Sequence, residues 1–292
     1  MIPSGNSIHV LQSDSLYVEI NEIGAGLHRL YSKKTKTEYL WEQQASVFFP
    51  IVGQLKGDKY SYNGKSYHMP YNGFAANMPF VVSNPLNYQN ALAFTLEDTP
   101  ATRTIYPFSF ALQVVFIVNW SQLEIAYQVI NETNGPMYFS CGSYEGYTCP
   151  RLEGETLEDY YIEFNDEHDY ESFTTAPGGL LTKSTYPVIE NGKMLPLNHK
   201  LFENDSLVFI DIPSGNAVLG SRKSQAKIDI AYDPAPNLMV WTKKEDPFIG
   251  IGPSWGVSDF EDNDEDLTTK PGIILLEKGG VFIWKRFINI YE

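Results

Sequence analysis

The chain has 292 residues, with 36 Asp and Glu against 21 Lys and Arg, a formal charge of −15 at pH 7. A chain of this length buries about 75% of its unfolded surface on folding, so it needs neither disulfides nor a metal to hold a core. The negative self-field, uninterrupted by any basic stripe, argues against nucleic acid as a partner and leaves neutral small molecules free to approach.

The opening segment MIPSGNSIHV has neither a charged n-region nor an apolar h-region, so no signal peptide is expected. No apolar run reaches the roughly 20 residues of a membrane span, and a cytoplasmic protein with no membrane partner is the expectation. Aromatics make up 14% of the chain, and with β-branched residues they fall in short runs bounded by Gly, Pro, Asn or Asp, which is strand punctuation. In chain order these predict strands at Leu16–Ile20, Val47–Val52, Ala91–Leu96, Ala111–Val118, Leu123–Ile130, Ser206–Ile212, Lys227–Tyr232, Leu238–Trp241, Gly272–Leu276 and Val281–Tyr291. Leu123–Val129 alternates apolar and polar residues, the pattern of a strand with one buried face. Between Tyr60 and Tyr67 the dipeptide Asn63-Gly64 predicts a type I′ hairpin, because both turn residues tolerate positive φ. No window carries a helical stripe. The fold class expected is all-β, a large antiparallel sandwich or barrel, with no internal repeat or linker to divide it.

Cys141 and Cys149 are the only cysteines, too few for a disulfide framework or a structural zinc site, and are expected to be small buried hydrophobes. The five histidines, His9, His28, His68, His168 and His199, stand in no metal-ligand spacing, so neither metal nor cofactor is expected. Sequons at Asn119, Asn131 and Asn204 read as chance in a chain without an export signal. The acidic run Asp259–Asp266 fails as an EF-hand, since the sixth and twelfth positions from Asp259 are Asp264 and Lys270. It reads as a solvated loop. No GxSxG, P-loop or strand-borne GxGxxG is present. What remains is four aromatic, Gly-punctuated segments: FFPIVGQLK (Phe48–Lys56), PYNGFA (Pro70–Ala75), SCGSYEGYTCP (Ser140–Pro150) and IGPSWGVSD (Ile251–Asp259).

These segments resemble the galactose mutarotase (aldose 1-epimerase) family, particularly its branch of LacX-type proteins from lactic acid bacteria. The resemblance runs through FFPIVGQLKGDKYSYNGKSYHMPYNGFA from Phe48, EYLW at Glu38, IYPFSF at Ile105, MYFSCGSYEGYTCP at Met137, PFIGIGPSWGVSD at Pro247 and KPGIILL at Lys270, in family order across the chain. It implies one mutarotase-like supersandwich domain over residues 1–292, binding a hexose on the concave face of a sheet. It also implies interconversion of sugar anomers, in which one group takes the C1 hydroxyl proton while another protonates the ring oxygen, so both need pKa values near working pH.

In the family pattern those groups are a His before G-F-A, a His in G-G-H-P and a Glu in E-P-W. Here the aligned residues are Asn72, Tyr144 and Gly252, and the arginine positions hold Gln54 and Ala76. Tyr144, with an ordinary pKa near ~10, is a reluctant acid at neutral pH. Glu145 is adjacent and is a candidate to replace the base, although in an extended strand its side chain points to the opposite face. Tyr144 and Glu145 are therefore the candidate substitutes for catalysis. Gln54, Lys56, Asn72, Phe74, Tyr147, Trp255 and Asp259 are the candidate sugar contacts, through amides, charges and aromatic faces. His68 lies four residues from Asn72, too far to stand in for the lost histidine. Two functions compete: a sugar-binding protein whose epimerase activity is lost or much reduced, and an active epimerase working through Tyr144 and Glu145. A hexose-phosphate reader is disfavoured, because phosphate needs cationic partners.

Overall fold

Alternation in the sequence becomes alternation in burial. Along Gln122–Asn131 every second residue is buried, and the same period runs through Phe110–Asn119 and Leu16–Asn21. The computed structural model describes residues 7–292 apart from 85–89, 204, 233 and 245; Asn204 and the first residues of the opening segment lie outside that range. Nearly all of the regular structure is strand. The α-helix among the described residues is one turn, Thr102–Ile105.

Two antiparallel sheets form the body. In the nine-stranded sheet, Val281–Tyr291 lies between Gln122–Asn131 and Lys227–Ala231. One flank continues through Phe110–Asn119, Ala91–Glu97 and Val81–Ser83, and the other through Asn216–Ser221, Tyr160–Thr175 and Leu181–Pro196. The five-stranded sheet runs Leu207–Phe209, Asn237–Trp241, Phe248–Trp255, Cys141–Thr148, Leu40–Phe48. The core lies between the sheets, where Tyr127 stacks on Trp284 with ring centroids 5.0 Å apart and its hydroxyl donates to Ser143 Oγ at 2.8 Å. Each large apolar side chain buried there contributes about 1.5–3 kcal/mol. A four-stranded N-terminal sheet from Ile8 to Glu38 packs His9 edge-on against Phe94.

The Asn63-Gly64 hairpin forms between Lys59–Tyr62 and Lys65–His68, with φ of 49° and 72° at the turn. Tyr60 and Tyr67 stack across it, and His68 is exposed on its outer strand. Val47–Val52 ends as a strand at Phe48, because Pro50 has no amide to donate and the chain turns at Gly53 (φ 77°). The two 16-residue strands Tyr160–Thr175 and Leu181–Pro196 were not expected. Asn165–Asp169 is exposed at every position and Leu181–Pro196 buries only scattered residues, so no regular hydrophobic period marks them. Cys141 and Cys149 are buried and free, as expected, and burial pushes both thiols up. Asn131 is also buried, with its amide donating to the Gly135 and Leu276 carbonyls at 2.8 Å, which removes it as a glycan acceptor. No helix of the described residues is long and apolar enough to cross a membrane.

Candidate functional site

The strand Cys141–Thr148 divides its residues between the two faces of the five-stranded sheet. Ser143, Glu145 and Tyr147 point into the core, while Gly142, Tyr144 and Gly146 point outward. On the adjacent strand the outward positions are Gly250, Gly252 and Ser254, and beyond it Asn237, Met239 and Trp241. Glycines at 142, 250 and 252 leave room for the neighbouring side chains: a Cβ at 250 would fall 2.1 Å from Trp241 Nε1. At Gly252 it would fall 3.0 Å from Tyr144 Cβ.

A shallow hollow, open to solvent, lies on this outer face. Loops supply its rim. Gly53 and Asn72 come from one side, Gly256 and Ser258 from another, and Leu181 closes a third. The Asn72 turn is fixed by the backbone: Asn72 sits at φ 60°, its Oδ1 accepts from Gly53 N at 2.7 Å, and its N donates to Gly53 O at 3.1 Å. Gly73 follows at φ 75°, packed so closely that a Cβ would meet Phe49 O at 2.2 Å. The Ser258 hydroxyl accepts from Gln54 N at 2.9 Å. Asn237 Nδ2 donates to the Ser254 and Gly256 carbonyls, and Ser254 Oγ donates to Gly256 O at 2.8 Å.

Beside the hollow runs a row of aromatic rings. Phe48, one wall of it, stacks on Tyr144 at 5.7 Å; Tyr144 meets Trp241 at 5.6 Å; and Trp241 meets Phe248 at 4.8 Å, which stacks on Trp41 at 4.7 Å. Burial, with smaller contributions from Tyr71 and Glu145, raises the Tyr144 phenol above its ordinary range.

Of the residues singled out in the sequence, Asn72 and Gly252 line the hollow and Tyr144 stands next to it, while Gln54 lies at the rim with its side-chain amide donating to Leu55 O and Asp58. The others are taken elsewhere. Glu145 is turned into the core, where Arg286 Nη1 donates to its Oε2 at 2.5 Å and Nη2 donates to its Oε1. Both side chains are almost fully buried. Burial opposes the Arg286 charge, but the Glu145 carboxylate outweighs it and holds the guanidinium pKa above its ordinary value. As a substitute base Glu145 is therefore corrected: a committed carboxylate on the far face of the strand reaches no ligand in the hollow. Tyr147 lies beside it, with its hydroxyl donating to Glu145 Oε2 at 3.4 Å.

Phe74 is buried among Phe49, Tyr106 and Phe110. Trp255 and Phe282, both half-buried against the edge of the core, pack edge-on at 5.3 Å. Asp259, expected in a solvated loop, is buried with Lys270, whose Nζ donates to Asp259 Oδ1 at 2.9 Å. Its other oxygen accepts from Lys56 N at 3.0 Å, so it pins the loop that carries Gly53 and Gln54. The Lys56 ammonium donates to Asn263 O. Tyr147, Phe74, Trp255, Asp259 and Lys56 thus hold the walls in place and do not line the hollow.

Sequence reasoning missed Tyr71, Asn237, Met239, Ser254 and Ser258. The serines lay within the segment around Trp255, and strand period from Trp241 assigns Met239 and Asn237 to its face. Leu181 and Val208 carry no local signal; tertiary folding alone brings them in.

A sequence description of the family Aldose 1-epimerase matches residues 7–266. The chain belongs to that family. A LacX protein of Lactococcus lactis subsp. lactis, plasmid-borne, is 29% identical over 90% of this chain and 92% of its own. A galactose mutarotase related enzyme from Lactobacillus acidophilus superposes with a TM-score of 0.92 at 27% identity, covering 98% of both chains. A galactose mutarotase-like protein from Lactobacillus casei ATCC 334 shares the fold, with a TM-score of 0.91 at 24% identity over 98% of this chain and 100% of the other. The antiparallel sandwich of this aldose 1-epimerase family member is thus the galactose mutarotase-like fold.

Proposed function

We propose that this aldose 1-epimerase family protein binds a neutral hexose or related sugar, as one cytoplasmic domain, in the hollow on the outer, concave face of the five-stranded sheet, with epimerase activity lost or much reduced. The observation that carries this reading is the chemistry of the lining: among the described residues its one titratable side chain is that of Tyr71, and no histidine or carboxylate lines it. Moving a proton from the anomeric hydroxyl to the ring oxygen needs groups that donate and accept near neutral pH. Amides, hydroxyls and aromatic faces do not do this, but they suit a neutral sugar. Asn72, Tyr144 and Gly252 stand where the resemblance puts the acid and base. Tyr144, raised by burial, holds its proton at neutral pH, and Glu145 is committed to Arg286. The hollow offers no arginine or lysine to a phosphate, and the overall charge of −15 repels one.

Polarimetry of freshly dissolved α-D-galactose and α-D-glucose, across roughly pH 6 to 9, tests the reading. The rate should equal the buffer blank, and calorimetric titration of the same samples should show saturable binding. A protein-dependent rate that disappears in Tyr144→Phe would establish the active epimerase instead, and an absence of binding heat would remove the sugar site.

A further inference from the structure

The proportion of polar to apolar wall in the hollow has a consequence for the ligand. Phe48, Val52, Leu181, Val208, Met239 and Val257 form most of the surface. Four of the five polar side chains already spend part of their hydrogen-bonding capacity on the backbone. Asn72 Oδ1 is used by Gly53 N and the Ser258 hydroxyl by Gln54 N. The Asn237 amide donates to two carbonyls, and Ser254 Oγ donates to Gly256 O. A free hexose brings five hydroxyls, each able to donate one hydrogen bond and accept two. Buried against this wall, most of them lose water and gain nothing.

We infer that the hollow is built for a glycoside, a sugar ring carrying an apolar aglycone, rather than for a free hexose. The sugar ring takes the polar edge at Asn72 and Ser258, where the Ser258 hydroxyl, an acceptor toward Gln54 N, still has its proton to donate. The aglycone takes the Met239, Val208 and Val257 wall, or passes Phe48 to stack along the row of Tyr144 and Trp241 rings. A glycoside has no free anomeric hydroxyl, so its binding site has no proton to move. The lack of histidine and carboxylate in the lining then matches the ligand. This inference rests on the sugar-binding reading above and narrows it.

Isothermal titration with four probes separates the two: 4-nitrophenyl β-D-galactopyranoside, methyl β-D-galactopyranoside, free D-galactose and 4-nitrophenol, with the glucose series in parallel. Each buried methylene strengthens binding about fourfold, so the 4-nitrophenyl glycoside should bind at least about tenfold more tightly than the methyl glycoside and more tightly than 4-nitrophenol. Equal affinity for the aryl glycoside, the methyl glycoside and the free sugar would overturn the inference and leave the sugar site standing. If 4-nitrophenol alone binds as well as its glycoside, the sugar contributes nothing and the sugar-binding reading falls too; no binding by any probe overturns both. Met239→Gln, close in shape but polar, should shrink the aryl-to-methyl ratio. Val208→Thr, on the edge strand, should do the same and serves if the Met239 variant does not fold.

Discussion

Replacing Glu145 by glutamine would leave the Arg286 guanidinium facing an amide that carries donors of its own, in a site shut off from solvent. Arg286 is fully buried, and its remaining polar contact is Nε donating to the Tyr127 hydroxyl at 3.2 Å. Removing one partner of such a pair costs about 3–5 kcal/mol, because the other charge stays buried and unpaired. Against a total stability of about 5–15 kcal/mol the loss is large. At roughly 2 °C per kcal/mol for a chain somewhat above 250 residues, Tm should fall by about 6–10 °C. Replacing both residues, as Glu145→Leu with Arg286→Met, should recover most of it, since an apolar pair of similar volume avoids the desolvation cost. Urea unfolding of Glu145→Leu, Arg286→Met, the double variant and the parent closes the cycle and yields the coupling energy. A Glu145→Gln protein within about 1 kcal/mol of the parent, with altered mutarotation or sugar binding, would refute the structural assignment and return Glu145 to the functional site.

Three further outcomes follow from the geometry. Gly73→Ala, placing a Cβ 2.2 Å from Phe49 O at φ 75°, should cost roughly 1–3 kcal/mol in urea unfolding, and a loss below about 0.5 kcal/mol would contradict the packing. The triple variant Asn72→His, Tyr144→His, Gly252→Glu should raise mutarotation over the blank by about 100-fold, the low end of general acid–base catalysis, while Gly252→Glu alone, a base with no partner acid, should not; a triple variant at the blank rate would refute the assignment of these positions. The hydrogen bond from Lys223, then that from the Thr156 amide, hold the Asp159 pKa below its ordinary value. Such a group stabilises the fold above its unfolded pKa near ~3.9, and the contribution is lost as pH falls through the lower folded value. The Tm deficit of Asp159→Asn should therefore be larger at about pH 6 than at about pH 3, and an equal deficit would argue against the contact.

Sequence alone reached the sandwich because its central strands bury one face at a period of two, as Leu123–Val129 does, and because Asn63-Gly64 is a turn with a specific φ requirement. It missed the ribbon Tyr160–Pro196, where buried residues such as Tyr170 and Ile189 are interrupted by the exposed run Asn165–Asp169 and write no regular period. The functional segments were legible as aromatic and glycine-punctuated, but the direction of each side chain was only partly so. Trp255 looks like a sugar platform by type, and strand register turns it to Phe282. Asp259 looked solvated among its acidic neighbours, yet Lys270 in the KPG segment is its buried partner. Glu145 illustrates the same limit: its outward neighbour Tyr144 is visible at once, whereas Arg286, over a hundred residues away, is what claims it.

The position of Val281–Tyr291 also governs how the molecule is made. It follows every other described strand in chain order and yet is the seam of the nine-stranded sheet, joining Gln122–Asn131 to Lys227–Ala231. Until it is synthesised, the two halves of that sheet present open edges to each other and to other chains, and the core-facing carboxylate of Glu145 awaits the arginine this strand delivers. At about 5–20 residues per second, the interval between the Gln122–Asn131 strand and its partner is roughly 10–30 s. A nascent chain therefore carries unpaired strand edges for that long, and its yield in a cell should depend on what shields them from aggregation during translation.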